Sequence, residues 1–114
     1  MVKYMENPLD AIFFALSDPT RRGMLELLAR AEYRVTELAR SFAMSLPAVS
    51  KHLRVLERAG LIRRERDGRV HKLNLEPKPL RDAGEWIAHY EEFWESQFDA
   101  LAHYLETQPE PKKP

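Results

Sequence analysis

The stretch SLPAVSKHLRVLERAGLIRR (residues 45–64) contains one helix with two opposed faces. Ser45 supplies an N-cap oxygen, Pro47 falls in the first turn where a missing N–H breaks nothing, and Gly60 is a stop signal. Between them Leu46, Val49, Leu53 and Leu56 recur at the 3–4 spacing of a buried face. At about 100° per residue, Pro47, Lys51, Arg54 and Arg58 share a sector on the opposite side. A helix surface that only meets water usually mixes its charges. This one is almost wholly positive, and the residues that follow it are basic as well.

Downstream of the helix, "LIRRER" and "RVHKLNL" are β-type runs joined at Asp67-Gly68, a dipeptide that tolerates φ > 0 and signals a hairpin. Upstream, "VTELARSFAM" predicts a short helix with Thr36 as N-cap and Leu38 and Phe42 inward. Before it, "SDPTRRGMLELLARAE" predicts a helix capped by Asp18, with Pro19 at its first position and Met24, Leu25 and Leu28 buried. "PLDAIFFALS" carries Leu9, Ile12, Phe13 and Leu16 at helical spacing. After the hairpin, "PLRDAGEWIAHYEEFWESQFDALAHYLE" predicts one long helix. Its apolar stripe, with Trp86, Tyr90, Phe93, Trp94, Phe98 and Leu101, is wider than a small domain can cover by itself. The expected fold is mainly α with a small β-hairpin: five helices plus a two-stranded wing. The expected organisation is a single domain over residues 1–108 and a disordered Pro-rich, charged tail over 109–114.

The net charge of zero over 114 residues hides an asymmetry. Residues 45–72 hold eight basic side chains against three acidic ones, a net +5, whereas residues 76–106 hold two against eight, a net −6. A basic half beside an acidic half implies a polyanionic partner met by the first and avoided by the second. Cysteine is absent, which removes disulfides, thiolate metal sites and a thiol nucleophile. No apolar run approaches the ~18 residues of a membrane span, and "MVKYMENPLD" lacks a signal-peptide core. A cytoplasmic protein is therefore expected, with no membrane partner.

Two short helices a few residues apart, the second with a basic outer face, form a helix-turn-helix. Such a second helix fits the major groove of duplex DNA. A hairpin just beyond it, with Arg66 and Arg69 beside the turn, forms a wing suited to the phosphate backbone or the minor groove. A solvated amphipathic helix with incidental cations would explain the helix alone. It would not explain the helix pair, the hairpin and the charged segment together.

"DPTRRGMLELL" followed by "TELARSFAMSLPAVSKHLRVLERAGLIRRERDGRVHKLNL" resembles the ArsR-type (arsenical-resistance repressor-like) winged helix-turn-helix regulators. The resemblance extends from about residue 9 to 106 and is carried most specifically by S-x-x-x-x-S-K-H-L-x-x-L-x-x-A-G-L. It implies a dimeric winged-helix repressor of transcription. It implies DNA contacts from Ser45, Pro47, Ala48, Ser50, Lys51, His52 and Arg54, and from Arg66 and Arg69 in the wing. It also implies a homodimer made by the first and last helices, with Phe13, Leu16, Trp86, Tyr90, Phe93, Trp94, Phe98 and Leu101 at the interface.

The chain departs from the metal sensors of that family. Where they carry Cys-x-Cys before the third helix, it has Arg34 and Thr36. His103 and Glu106 match half of a second metal site on the last helix, but the residue two before His89 is Ile87 rather than Asp. No metal and no cofactor are expected. Ser50 and His52 are two apart on a helix and diverge, so they make no catalytic dyad, and no Gly-rich phosphate loop is present. An enzyme is not expected. Two alternatives remain open. One is a sensor whose small-molecule inducer occupies a pocket at the last helices, and the other is a winged-helix module that binds protein rather than DNA.

Overall fold

The computed structural model describes residues 7–107. The elements follow in the order α1 (Pro8–Leu16), α2 (Pro19–Leu28), β1 (Tyr33–Arg34), α3 (Val35–Ser41), α4 (Leu46–Arg58), β2 (Ile62–Asp67), β3 (Val70–Leu75) and α5 (Pro77–Thr107). They form two bodies, one ending at Ala83 and one beginning at Gly84 that contains the rest of α5. The expected tail over 109–114 lies outside the described residues.

Helix starts follow the expected capping chemistry with one exception. Asn7 accepts from the Leu9 N–H, Asp18 from Arg21 and Ser45 from Ala48, and a proline stands in the first turn of all three helices. The exception is α3. Thr36 does not cap it; the N-cap is Arg34. A guanidinium cannot accept a hydrogen bond, so half of a capping box serves instead: Glu37 Oε1 accepts the Arg34 backbone N–H at 3.0 Å. The cause is tertiary. β1 holds Tyr33 and Arg34 extended against Leu73 and Lys72 of β3, so the helix starts immediately after that pairing ends.

Helices α3 and α4 both end in Schellman turns. After α4, Gly60 is left-handed (φ +70), its N–H reaches Glu57 O at 2.9 Å and the Leu61 N–H reaches Leu56 O at 3.0 Å. Leu56 and Leu61 are both fully buried, which completes the motif with an apolar contact. After α3 the same pattern, Ala43 to Arg40 O and Met44 to Ala39 O, forces Ala43 to φ +51. A left-handed alanine costs about 1–2 kcal/mol relative to its right-handed form, and here it sets the tight turn that joins the two helices.

The sheet has three strands in the order β1-β3-β2, all antiparallel, rather than the two expected. A two-residue strand between helices has no alternation to betray it. The largest fully buried side chains of this first body are Met24 from α2, Leu38 from α3, Val49, Leu53 and Leu56 from α4, Leu61, and Leu73 from β3, with Ile12 of α1 in the same core. Leu9, Phe13, Leu16 and Leu80 pack against it, partly buried. Leu46 is a correction to the expected buried face: at the first position of α4 it is 50% exposed.

Candidate nucleic-acid interface

Along α4, Val49, Leu53 and Leu56 are sealed in the core while Pro47, Lys51, Arg54 and Arg58 are exposed. Ser45 is exposed at the cap, and Ala48, Ser50 and His52 are half-buried on the flanks. The core thus orients the cationic face: the buried stripe admits one rotation of the helix, and that rotation turns Lys51 and Arg54 outward.

Ion pairing sorts the basic segment further. Arg63 pairs with Glu65 at 3.1 Å and with Glu76 at 2.9 Å. Arg64 pairs with Glu57 at 2.6 Å, and Lys72 stands 4.0 Å from Glu32. Lys51, Arg54, Arg58, Arg66 and Arg69 have no carboxylate partner among the described residues. Glu57 and Glu65 within the basic segment, with Glu32 and Glu76 outside it, therefore neutralise cations at the base of the wing and leave those on the α4 outer face and the wing tip available.

In the wing, Asp67 pairs with Val70, so the turn residues are Gly68 and Arg69 rather than Asp67 and Gly68. Only Gly68 is left-handed (φ +62), which is the requirement of a type II′ turn with glycine at its first central position. Arg69 thereby stands in the turn itself, and Arg66 lies opposite His71 on the strands behind it. Arg64 ties the wing to α4: besides Glu57 on α4, its guanidinium lies 3.2 Å from Nδ1 of His71 on β3.

Between α3, the start of α4 and the wing lies a cleft of about 310 Å³, lined by Arg34, Val35, Thr36, Leu46, Ser50, Arg64, Arg69, Val70 and His71. No carboxylate lines it. The exposed Leu46 forms part of its apolar wall. Arg34 and Thr36, which the sequence offered as a failed metal motif and, for Thr36, as a helix cap, enter the cleft because β1 pairs with β3.

His52 has a different environment from the rest of the outer residues. Its Nδ1 lies 3.4 Å from Arg21 Nη1 and 3.9 Å from Asp18 Oδ2. The Arg21 backbone N–H donated to Asp18, with the positive charge of the Arg21 side chain, outweighs partial burial and holds the Asp18 carboxyl below its ordinary range. That contribution to stability is present above the ordinary aspartate value and is lost as the pH falls through the lowered one. Nothing in the sequence pattern marks Arg21, because the histidine it meets is 31 positions away.

The second body, from Gly84 onward, exposes Tyr90, Phe93, Trp94, Phe98, Leu101, Tyr104 and Leu105, with Trp86 at 45% and Phe98 at 63%. Rings meet at a tilt along the helix, Trp86 with Tyr90 at 4.8 Å and Trp94 with Phe98 at 6.1 Å between centroids. On α1, Phe13 and Leu16 are half-buried and Phe14 is exposed. Among the described residues no three His, Asp or Glu side chains gather as a ligand set, and no helix is long and apolar enough to cross a membrane.

Comparison with known proteins places this geometry. The sequence pattern described as "Bacterial regulatory protein, arsR family" matches residues 18–64, from the cap of α2 into β2. The chain is 33% identical over 82 residues to the transcriptional repressor SdpR of Bacillus subtilis, covering 72% of this chain and 91% of that protein. It is 42% identical over 71 residues to the HTH-type transcriptional regulator Rv2034 of Mycobacterium tuberculosis, covering 62% and 66%. Among solved structures, the ArsR family transcriptional regulator RHA00566 superposes with a TM-score of 0.75 at 44% identity, covering 84% of this chain and 98% of that one.

Proposed function

Because the chain belongs to the arsR family of bacterial regulatory proteins, we propose that it is a homodimeric transcriptional repressor that reads an imperfectly palindromic operator and does not answer to metals. The observation that carries the reading is the sorting of cations: Lys51, Arg54, Arg66 and Arg69 are exposed without carboxylate partners, while their basic neighbours in the wing are paired. In this reading α4 enters the major groove, with Ser45, Pro47, Ala48, Ser50, Lys51, His52 and Arg54 toward DNA. Arg66 and Arg69 lie on the backbone, and the cleft lined by Arg34, Thr36, Ser50 and Arg69 seats a phosphate. The exposed aromatics of α5 meet a second copy, and Phe13 and Leu16 of α1 are likewise assigned to the dimer interface. Selection of bound fragments from genomic DNA, followed by gel shift across a salt series, tests the function and yields the operator.

Lys51→Ala and Arg54→Ala are each expected to weaken operator binding while leaving the melting midpoint unchanged, because both side chains point away from the core. A contact to a guanine edge is worth about 1–3 kcal/mol and concerns one base position. Unchanged affinity in both variants would remove α4 from the interface.

The wing is expected to behave differently. Arg66→Ala and Arg69→Ala lower affinity for every duplex and flatten the dependence of log K on log salt by about one unit per lost phosphate contact. A slope identical to the parent's would refute the backbone role. Metal independence gives a third test. Arg34 and Thr36 supply neither thiolate nor imidazole, and a zinc site needs a converging set of such ligands. Zn²⁺, Cd²⁺ and arsenite at micromolar concentration are expected to leave operator affinity as it is. A stoichiometric Zn²⁺ complex abolished by His103→Ala would overturn this.

A further inference from the structure

Arg21 is a buried charged residue, 8% exposed, on a helix that the DNA-binding reading leaves unused. Its guanidinium is fixed at three points. Nε donates to Ala15 O at 2.8 Å and Nη2 to Phe14 O at 3.0 Å, closing the C-terminal end of α1. The guanidinium also lies over the Phe14 ring, 5.2 Å from its centroid. The remaining nitrogen, Nη1, faces Nδ1 of His52 on α4 at 3.4 Å. The Asp18 carboxylate, at 3.9 Å from the same ring nitrogen, stands beyond hydrogen-bond reach.

A guanidinium has five donors and no acceptor. In the contact with Arg21, Nδ1 must therefore present its lone pair, and a neutral imidazole then carries its proton on Nε2. Nε2 has no hydrogen-bond partner among the described residues and is not among the buried polar atoms left without one, so it reaches solvent. His52 sits on the flank of α4, next to Lys51 on the outer face and turned toward the start of α2. In the DNA-binding reading, a short side chain on that flank lies toward the backbone bordering the groove rather than toward the base edges within it.

We propose that Arg21 is a positioning residue for DNA binding: by donating to Nδ1 it holds His52 as the Nε2–H tautomer and directs that single donor to a DNA phosphate. The inference rests on the DNA-binding reading and names the atom, its polarity and the residue that sets both. Two of the guanidinium nitrogens close the α1 carbonyls, and the third is the one left to fix the ring. A neutral donor displaces no counterion, so this contact adds affinity without adding to the salt slope, unlike Lys51 or Arg69.

Two measurements on the intact protein test it. The first is the ¹⁵N spectrum of the His52 ring without DNA. The parent is expected to show a protonated Nε2 and an unprotonated Nδ1. Arg21→Lys keeps the charge but not the fork that spans two carbonyls and the ring, and is expected to let the Nδ1–H form appear. The second uses amides as half-histidines. His52→Asn places an amide near Nδ1, so it keeps the inner contact and loses the outer donor. His52→Gln places its amide nitrogen near Nε2.

The Asn variant is expected to melt like the parent and to bind every duplex about tenfold more weakly, the loss of a hydrogen bond to a charged group, with the salt slope unchanged. The Gln variant is expected to recover most of that affinity. A parent ring in the Nδ1–H form overturns the proposal, as does full affinity in His52→Asn, or a tautomer and affinity in Arg21→Lys equal to the parent's. A parent that binds no duplex at all overturns the DNA-binding reading and this inference with it, whereas the other outcomes overturn the inference alone.

Discussion

Phe98→Asp, and equally Phe93→Asp, is expected to yield monomers or aggregates whose operator affinity is lower by roughly 10²–10⁴-fold, the gain that two linked half-site contacts provide over one. Both rings lie in the exposed aromatic run of α5, Phe93 at 54% and Phe98 at 63% exposure. Contiguous exposed apolar surface of this kind is uncommon on a monomer and marks an interface. A second copy arranged about a two-fold axis would cover it and carry the acidic outer faces of α5 away from DNA. It would also set two α4 helices about 34–36 Å apart, one turn of the duplex, which is why a palindrome is expected. A carboxylate placed in that contact loses its hydration with no cation to meet it, a cost of several kcal/mol per copy. Light-scattering mass measured beside a gel shift reads both consequences. A parent of monomer mass that binds a single half-site tightly would refute the dimer and the palindrome together.

Leu53→Ala is expected to cost about 2–5 kcal/mol of stability, the range for truncating a fully buried leucine. Leu53 has no exposed surface and belongs to the same core as Val49, Leu56, Met24 and Leu38. A small domain has only about 5–15 kcal/mol in total, so the variant should be partly unfolded at moderate temperature. Each kcal/mol lost lowers the midpoint by about 4–8 °C. The comparison with Lys51→Ala, two positions away on the same helix, is the informative one: one substitution removes stability and the other affinity. Thermal unfolding followed by circular dichroism separates them. A Leu53→Ala midpoint equal to the parent's would mean that α4 is not anchored by this face, and the assignment of its opposite face to DNA would lose its basis.

Whatever depends on neighbours a few residues apart is legible in the order of the residues. Caps at Asp18 and Ser45, the stop at Gly60 and, apart from Leu46, the two faces of α4 follow from spacing and local hydrogen bonding, and they stand in the structure. The same holds for the basic and acidic halves, since counting charges needs no coordinates. Features that join segments far apart in the chain came only with folding. β1 exists only because Tyr33 and Arg34 meet Leu73 and Lys72, and that pairing displaced the cap of α3 from Thr36 to Arg34 and brought both residues to the cleft. The hairpin register, set by pairing along all of β2 and β3, moved the turn one residue on to Gly68-Arg69. Eight basic residues look alike in sequence, but Glu57, Glu65 and Glu76 reach only some of them once folded. Arg21 and His52 meet across 31 positions because α2 and α4 share one core. Local propensity constrains the backbone over a turn or two, whereas which polar groups end up paired, buried or free is settled only when packing fixes the distances between them.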